Sequence, residues 1–172
     1  MLINFLGFQV IWFGSILLGD AFLLVSVGLI AAHFFYNPST RNTDAKLALV
    51  CLLCGLVIDN GLMFLGVMAF PDVSYSHLIV PTWLLTLWVA FGLTINHSLK
   101  AFRGKFWLAF VSGGIFGPLS YMAGERLGAV EMQMSPLVTF AVFALIWAPL
   151  FSLMLKWSAS LNQYSVNKVQ HV

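Results

Sequence analysis

The sequence predicts an all-α polytopic membrane protein, a bundle of about six transmembrane helices with both termini on the cytoplasmic side. Three observations predict it. Of the 172 residues, 60% are hydrophobic and only 8% are charged, where soluble domains carry about a quarter charged. Mean hydropathy is +0.94. Apolar runs long enough to cross about 30 Å of hydrocarbon recur along the whole chain, separated by short polar or proline-containing segments. In water so little charge would leave one continuous apolar surface; in lipid it is no liability. The net charge of +2 is small and scattered, which argues against a nucleic-acid partner.

Residues 2–36 are almost wholly apolar. As one helix of 35 residues they would run about 52 Å at 1.5 Å per residue, so the expectation is a hairpin: one arm at 2–18, a turn at Gly19-Asp20, and a second arm at 21–37. A single long tilted helix, giving five spans, is the alternative. The segment Met1–Gly19 has no basic leader, and Asp20 stands where a small-residue cleavage site would be, so it reads as a retained helix rather than a signal peptide. Asn37-Pro38-Ser39-Thr40-Arg41-Asn42-Thr43 is a polar loop. Helix three follows from residue 44 or 46 to Phe70, then a turn at Pro71-Asp72-Val73-Ser74.

Helix four is expected at 78–99, with Pro81 in its first turn, where a missing N–H costs little. Lys100, Arg103 and Lys105 make a basic loop. Helix five spans 106–128, with a kink or break at Gly117-Pro118. Ser135-Pro136 reads as an N-cap and first-turn proline opening helix six at 136–157, bent at Pro149. The transmembrane domain is thus 1–157, and 158–172 is a polar cytoplasmic tail. Six spans place Arg41, Lys46, Lys100, Arg103, Lys105, Lys156 and Lys168 on one side and Arg126 alone on the other. That asymmetry orients the bundle in a bacterial inner membrane with its basic side in the cytoplasm.

Helices in lipid associate by close packing of small residues. Helix five groups Gly114, Gly117, Tyr121, Gly124, Glu125 and Gly128 on one face. Helix three groups Gly55, Asp59 and Gly66; helix four, Trp83, Ala90, Thr94 and His97; helix one, Gln9, Trp12, Ser15 and Gly19. These faces are expected to meet at the bundle centre. Asp59 falls near the midplane, where an unpaired carboxylate costs several kcal/mol. It is therefore either a functional group or a hydrogen-bonded structural one. With Glu125 as a second carboxylate it is the candidate acid–base pair, with Trp83, Tyr121, Gln9 and Trp12 lining a pocket and Arg126 holding a phosphate. Asp20 and Glu125 read alternatively as interfacial charges.

Other signals are weaker. Cys51 and Cys54 have redox spacing on an apolar helix without thioredoxin-like context. His33 and His97 fall near cytoplasmic helix ends and His77 on the opposite side, an arrangement expected to make no metal site. Trp12, Trp83, Trp107 and Trp157 lie at expected interfaces, and Trp88 and Trp147 read as packing residues. No Gly-rich phosphate loop, no strand and no internal repeat is evident.

The stretch Gly113–Ala129 (GGIFGPLSYMAGERLGA), the start Asn4–Trp12 (NFLGFQVIW), the Ile58-Asp59 step and Pro81–Trp88 (PTWLLTLW) resemble domain-of-unknown-function family 2878, small proteobacterial inner-membrane proteins. The resemblance covers nearly the whole chain. It implies an inner-membrane protein with no assigned activity, and an association of the family with fatty-acid modification genes points to lipid metabolism. The leading expectation is an accessory or enzyme of membrane-lipid modification, with membrane lipids as partners. A small proton- or ion-coupled carrier and a non-catalytic scaffold are the alternatives, the latter docking another membrane protein or a second copy through helix five. No cofactor is expected.

Overall fold

The computed structural model describes residues 1–71 and 79–170, with side chains through Gln163. It is helical almost throughout. Helix α1 is Leu2–Leu18 and α2 is Leu23–Tyr36, joined by a tight 3-10 turn over Gly19–Phe22. Then come α3 (Arg41–Phe64), α4 (Thr82–Ile95), a second 3-10 turn (Ser98–Phe102), α5 (Phe106–Arg126) and α6 (Pro136–Gln170).

The chain reverses at Gly19, whose φ of 56° is open to glycine but strained for other residues. Gly14 has no side chain to block Phe22, whose ring would lie 2.2 Å from a Cβ there. The reversal is visible against α4. Asn4 Nδ2 donates to the Leu93 carbonyl; Asp20 accepts from the Trp83 backbone N–H at the opposite end of α4; and His33 returns to the side of His97. Residues 2–36 therefore form a helical hairpin, and the bundle has the all-α class expected. Counting Leu2–Tyr36 as one stretch, four helical stretches among the described residues are long and apolar enough to cross a membrane, and Thr82–Ile95 is a shorter apolar helix. Taken singly, α1, α2 and α4 measure about 25, 21 and 21 Å at 1.5 Å per residue, shorter than the other three helices.

Two tightly packed pairs organise the bundle, α3 with α4 and α5 with α6. Each depends on missing side chains. A Cβ at Gly92 would lie 2.7 Å from the Ala48 Cα, and one at Gly55 would enter the Trp88 ring. In the second pair, a Cβ at Gly113 would lie 2.5 Å from the Trp147 carbonyl oxygen, and one at Gly117 would enter the Trp147 side chain. Gly114 is in tight contact with Ala148, and Gly124 meets Ile16 and Val130 at ordinary distance. Gly66 and Gly128, expected on packing faces, instead occupy turns at positive φ with nothing nearby. They end α3 and α5.

Other boundaries move as well. Helix three stops at Phe64, and residues 68–69 pair as a two-residue strand β1 with β2 (Glu131–Met132), antiparallel, Met68 opposite Met132. The Gln133 N–H adds a bond to the Val67 carbonyl. The sequence carries no strand signal because two residues are too few to show a period. Pro81 precedes α4 rather than sitting in its first turn. Pro118 is buried inside an unbroken α5, and α6 runs through Pro149 to Gln170, past the expected end at Trp157. The turn expected at 71–74 and His77 lie largely outside the described residues. The outward surface is apolar on every helix pair: Ile3, Leu24, Val57, Phe64 and Leu145 are each more than 70% exposed. That surface fits a hydrocarbon solvent and no aqueous one.

Candidate functional site

Between the α5–α6 pair and the rest of the bundle lies a cleft of about 410 Å³. Its walls come from α1, α4, α5 and α6. It extends from Ser98 and Phe102 at the basic end to Trp83, Gly124 and Val130 at the other. That is most of the length of α4, about 20 Å, so the space is long and narrow. The lining is aromatic and aliphatic, with Trp12, Trp88, Phe91 and Trp147 prominent and Gln9, Ser112 and Ser120 as polar interruptions. Trp88 and Trp147 stack with ring centroids 5.0 Å apart and 14° between planes. Trp12 Nε1 donates across the cleft to Ser120 Oγ at 3.1 Å, tying α1 to α5.

Asp59 stands behind this wall. It is fully buried, and both carboxylate oxygens are taken. Trp88 Nε1 donates to Oδ2 at 2.5 Å and the Tyr121 hydroxyl donates to Oδ1 at 2.7 Å. Helix α3 carries Asp59 but contributes no residue to the cleft lining. The expectation that Asp59 shares a pocket with Gln9, Trp12, Trp83 and Tyr121 is thereby corrected: α6 closes the wall and α3 stays outside it, because the bulky indole of Trp88 fills the space that Gly55 leaves on α3. Asp59 fixes the rings that line the cleft; it does not face the cleft itself.

The remaining expected residues separate. Gln9, Trp12, Trp83 and Tyr121 do line the cleft. Glu125 does not; its Oε1 accepts from the Met132 N–H and secures β2. Glu125 and Asp59 thus serve different partners rather than one acid–base site. Arg126 is exposed at the end of α5, two residues beyond Gly124. Asp20 accepts from the Trp83 N–H at 3.0 Å and from the Thr82 hydroxyl, supplying a cap for α4 from another part of the chain. Cys51 and Cys54 are free thiols. Trp88 and Trp147, read from sequence as packing residues, form the cleft wall.

At the basic end the structure assembles a cluster that the sequence reading did not anticipate. His33 Nε2 and His97 Nε2 both approach Asp44 Oδ2, at 3.1 and 2.8 Å. Thr40 donates to the same oxygen at 2.7 Å, and Asn96 Nδ2 donates to Oδ1 at 2.7 Å. Arg103 and Asn162 donate in turn to Asn96 Oδ1, and Arg103 also reaches Ser158. Burial pushes the Arg103 guanidinium below its usual value, and the Asp44 charge opposes that shift. The two histidines were expected to be separate interfacial residues. Asp44, three residues beyond Arg41 in a polar stretch, gave no sign of being their meeting point, because the three residues lie on three elements.

The fold and the cleft define a polytopic α-helical membrane protein with an apolar interhelical site. The chain belongs to the family of proteins of unknown function DUF2878, whose model matches residues 1–153, that is, every helix through most of the apolar part of α6. No curated protein and no solved structure matches it.

Proposed function

We propose that the protein binds one acyl chain of a membrane lipid in the cleft and acts as an accessory or enzyme of membrane-lipid modification in a bacterial inner membrane, its basic end in the cytoplasm. The observation that carries this reading is the shape and lining of the cleft. Its volume of about 410 Å³ falls within the range of small-molecule sites, about 300–1,000 Å³, and its lining runs along most of α4. The occupant comes from the surroundings: the outer surface of the bundle is apolar enough for lipid, and α5 and α6 meet the other helices through few elements. Arg126, exposed near the Gly124 end, would pair with a headgroup phosphate. Asp59 is a positioning residue for Trp88 and Tyr121.

The test is native mass spectrometry of the full chain released from detergent, alongside its Ser112→Phe variant. Ser112 lines the cleft, and a phenyl group there obstructs it. Co-purifying lipid lost in the variant at unchanged monodispersity supports the reading; equal lipid in both removes it. Arg126→Gln should weaken retention of anionic lipids selectively. At the cellular level, a deletion strain should show an altered acyl-chain profile that the wild type restores and Ser112→Phe does not. A pH-driven ion flux in proteoliposomes that Ser112→Phe leaves intact would favour a carrier instead.

A further inference from the structure

We propose that His33, Asp44 and His97 form a mononuclear site for a divalent transition-metal ion at the basic end of the bundle. The two imidazole nitrogens and the carboxylate oxygen all lie within 4.8 Å of one another. Two of the three separations are 2.8 and 3.1 Å. Zinc bonds of about 2.0–2.2 Å to nitrogen and oxygen place neighbouring tetrahedral ligands about 3.3 Å apart. Small side-chain adjustments therefore admit an ion between the three groups.

Charge points the same way. The Asp44 side chain has 0% exposure, and its direct partners are two imidazoles, a hydroxyl and an amide. The nearby Arg103 guanidinium hydrogen-bonds Asn96 instead. A cation seated on both Nε2 atoms and Oδ2 supplies the missing charge in contact, provided each imidazole carries its proton on Nδ1. Thr40 and Asn96 hold the carboxylate, and Arg103 and Asn162 hold Asn96, which is the supporting layer that metal ligands require. The imidazoles keep 11% and 16% exposure. Three protein ligands with one side open are the pattern of a site that retains a water or substrate position, for zinc or for ferrous iron in its two-histidine, one-carboxylate form. The ligands come from α2, α3 and the residue pair that follows α4, and none of the three lines the cleft. The site therefore stands independently of the lipid reading.

The probe is Co²⁺ added to the chelator-treated full chain in detergent, read by visible absorption and by metal content after desalting, with Zn²⁺ as competitor. One ion per chain, displaced by Zn²⁺, is expected. His97→Gln and His33→Gln should each lose at least about tenfold in affinity, and Thr40→Val, which touches only the supporting layer, about tenfold. Gly28→Ala, whose added methyl faces open space, should bind as the wild type does. The absence of saturable uptake by monodisperse wild-type protein, or unchanged Co²⁺ affinity in both histidine variants, overturns the proposal.

Discussion

The Tyr121 hydroxyl donates to Asp59 Oδ1 at 2.7 Å while the same ring forms part of the cleft wall. A carboxylate on α3 thereby sets the position of an aromatic side chain on α5, and through Trp88 it does the same for α4. Asp59 joins the two helix pairs at a point where each presents little but apolar surface.

That arrangement predicts a graded response at position 59. Asparagine keeps one acceptor but turns an N–H₂ towards a donor, so Asp59→Asn should destabilise by about 1–3 kcal/mol, the cost of an unsatisfied buried polar group. Asp59→Ala should cost at least as much and loosen Trp88 and Tyr121 together. Thermal unfolding in detergent measures the first effect, and the tryptophan emission maximum the second. Wild-type stability and emission in both variants would show that the carboxylate holds nothing.

The glycines make a second, paired prediction. A methyl group at Gly113 meets the backbone oxygen of Trp147 at 2.5 Å, and a backbone atom cannot rotate away. Gly113→Ala should push α5 from α6 and cost about 1–3 kcal/mol, the range for overpacking. Gly28 faces open space, so Gly28→Ala should be neutral or gain up to about 1 kcal/mol from helix propensity. Equal unfolding temperatures for the two variants would contradict the close approach.

Asp20 predicts a capping effect. Its Oδ1 accepts the Trp83 N–H, a donor that α4 cannot satisfy internally. Asp20→Asn keeps that oxygen and should change stability little. Asp20→Ala should cost about 1 kcal/mol, as for other lost N-caps. Chemical denaturation in mixed micelles distinguishes them, and identical losses for both would assign the effect to charge rather than to the cap.

How much of this was legible in the sequence follows from the range of each interaction. The membrane class, the helical fold, the basic end and the burial of Asp59 all rest on local composition and spacing, and they stand. Gly113 and Gly92 were not singled out because their contacts, Trp147 and Ala48, belong to other helices. Gly66 and Gly128 were misplaced because a glycine that ends a helix and one that packs it look alike in a helical projection. The cluster of His33, Asp44 and His97 has no sequence signature because the three residues are far apart in the chain, and Asp44 stands at the very start of helix three, where a carboxylate is ordinary. Trp88 and Trp147 had no feature separating a cleft wall from a core. Only the path of α4, between two partners, assigns those roles.

The hydrogen bond from Trp12 Nε1 to Ser120 Oγ yields the last prediction, which concerns motion rather than stability. It spans the cleft between α1 and α5, two helices that otherwise share little contact. Trp12→Phe keeps an aromatic ring against the cleft but deletes the donor, and interhelical hydrogen bonds in membranes average only about 0.6 kcal/mol. The unfolding temperature should therefore move little. With the latch gone, α1 can swing from α5, and a spin-labelled fatty acid in the cleft should exchange with the surrounding micelle faster than in the wild type. Ser120→Ala removes the acceptor from the other side and should speed exchange by a similar factor, while the double variant should add nothing further, as expected of two groups acting through one bond. Unchanged exchange in both single variants, with the fatty acid still bound, would mean that the cleft opens elsewhere.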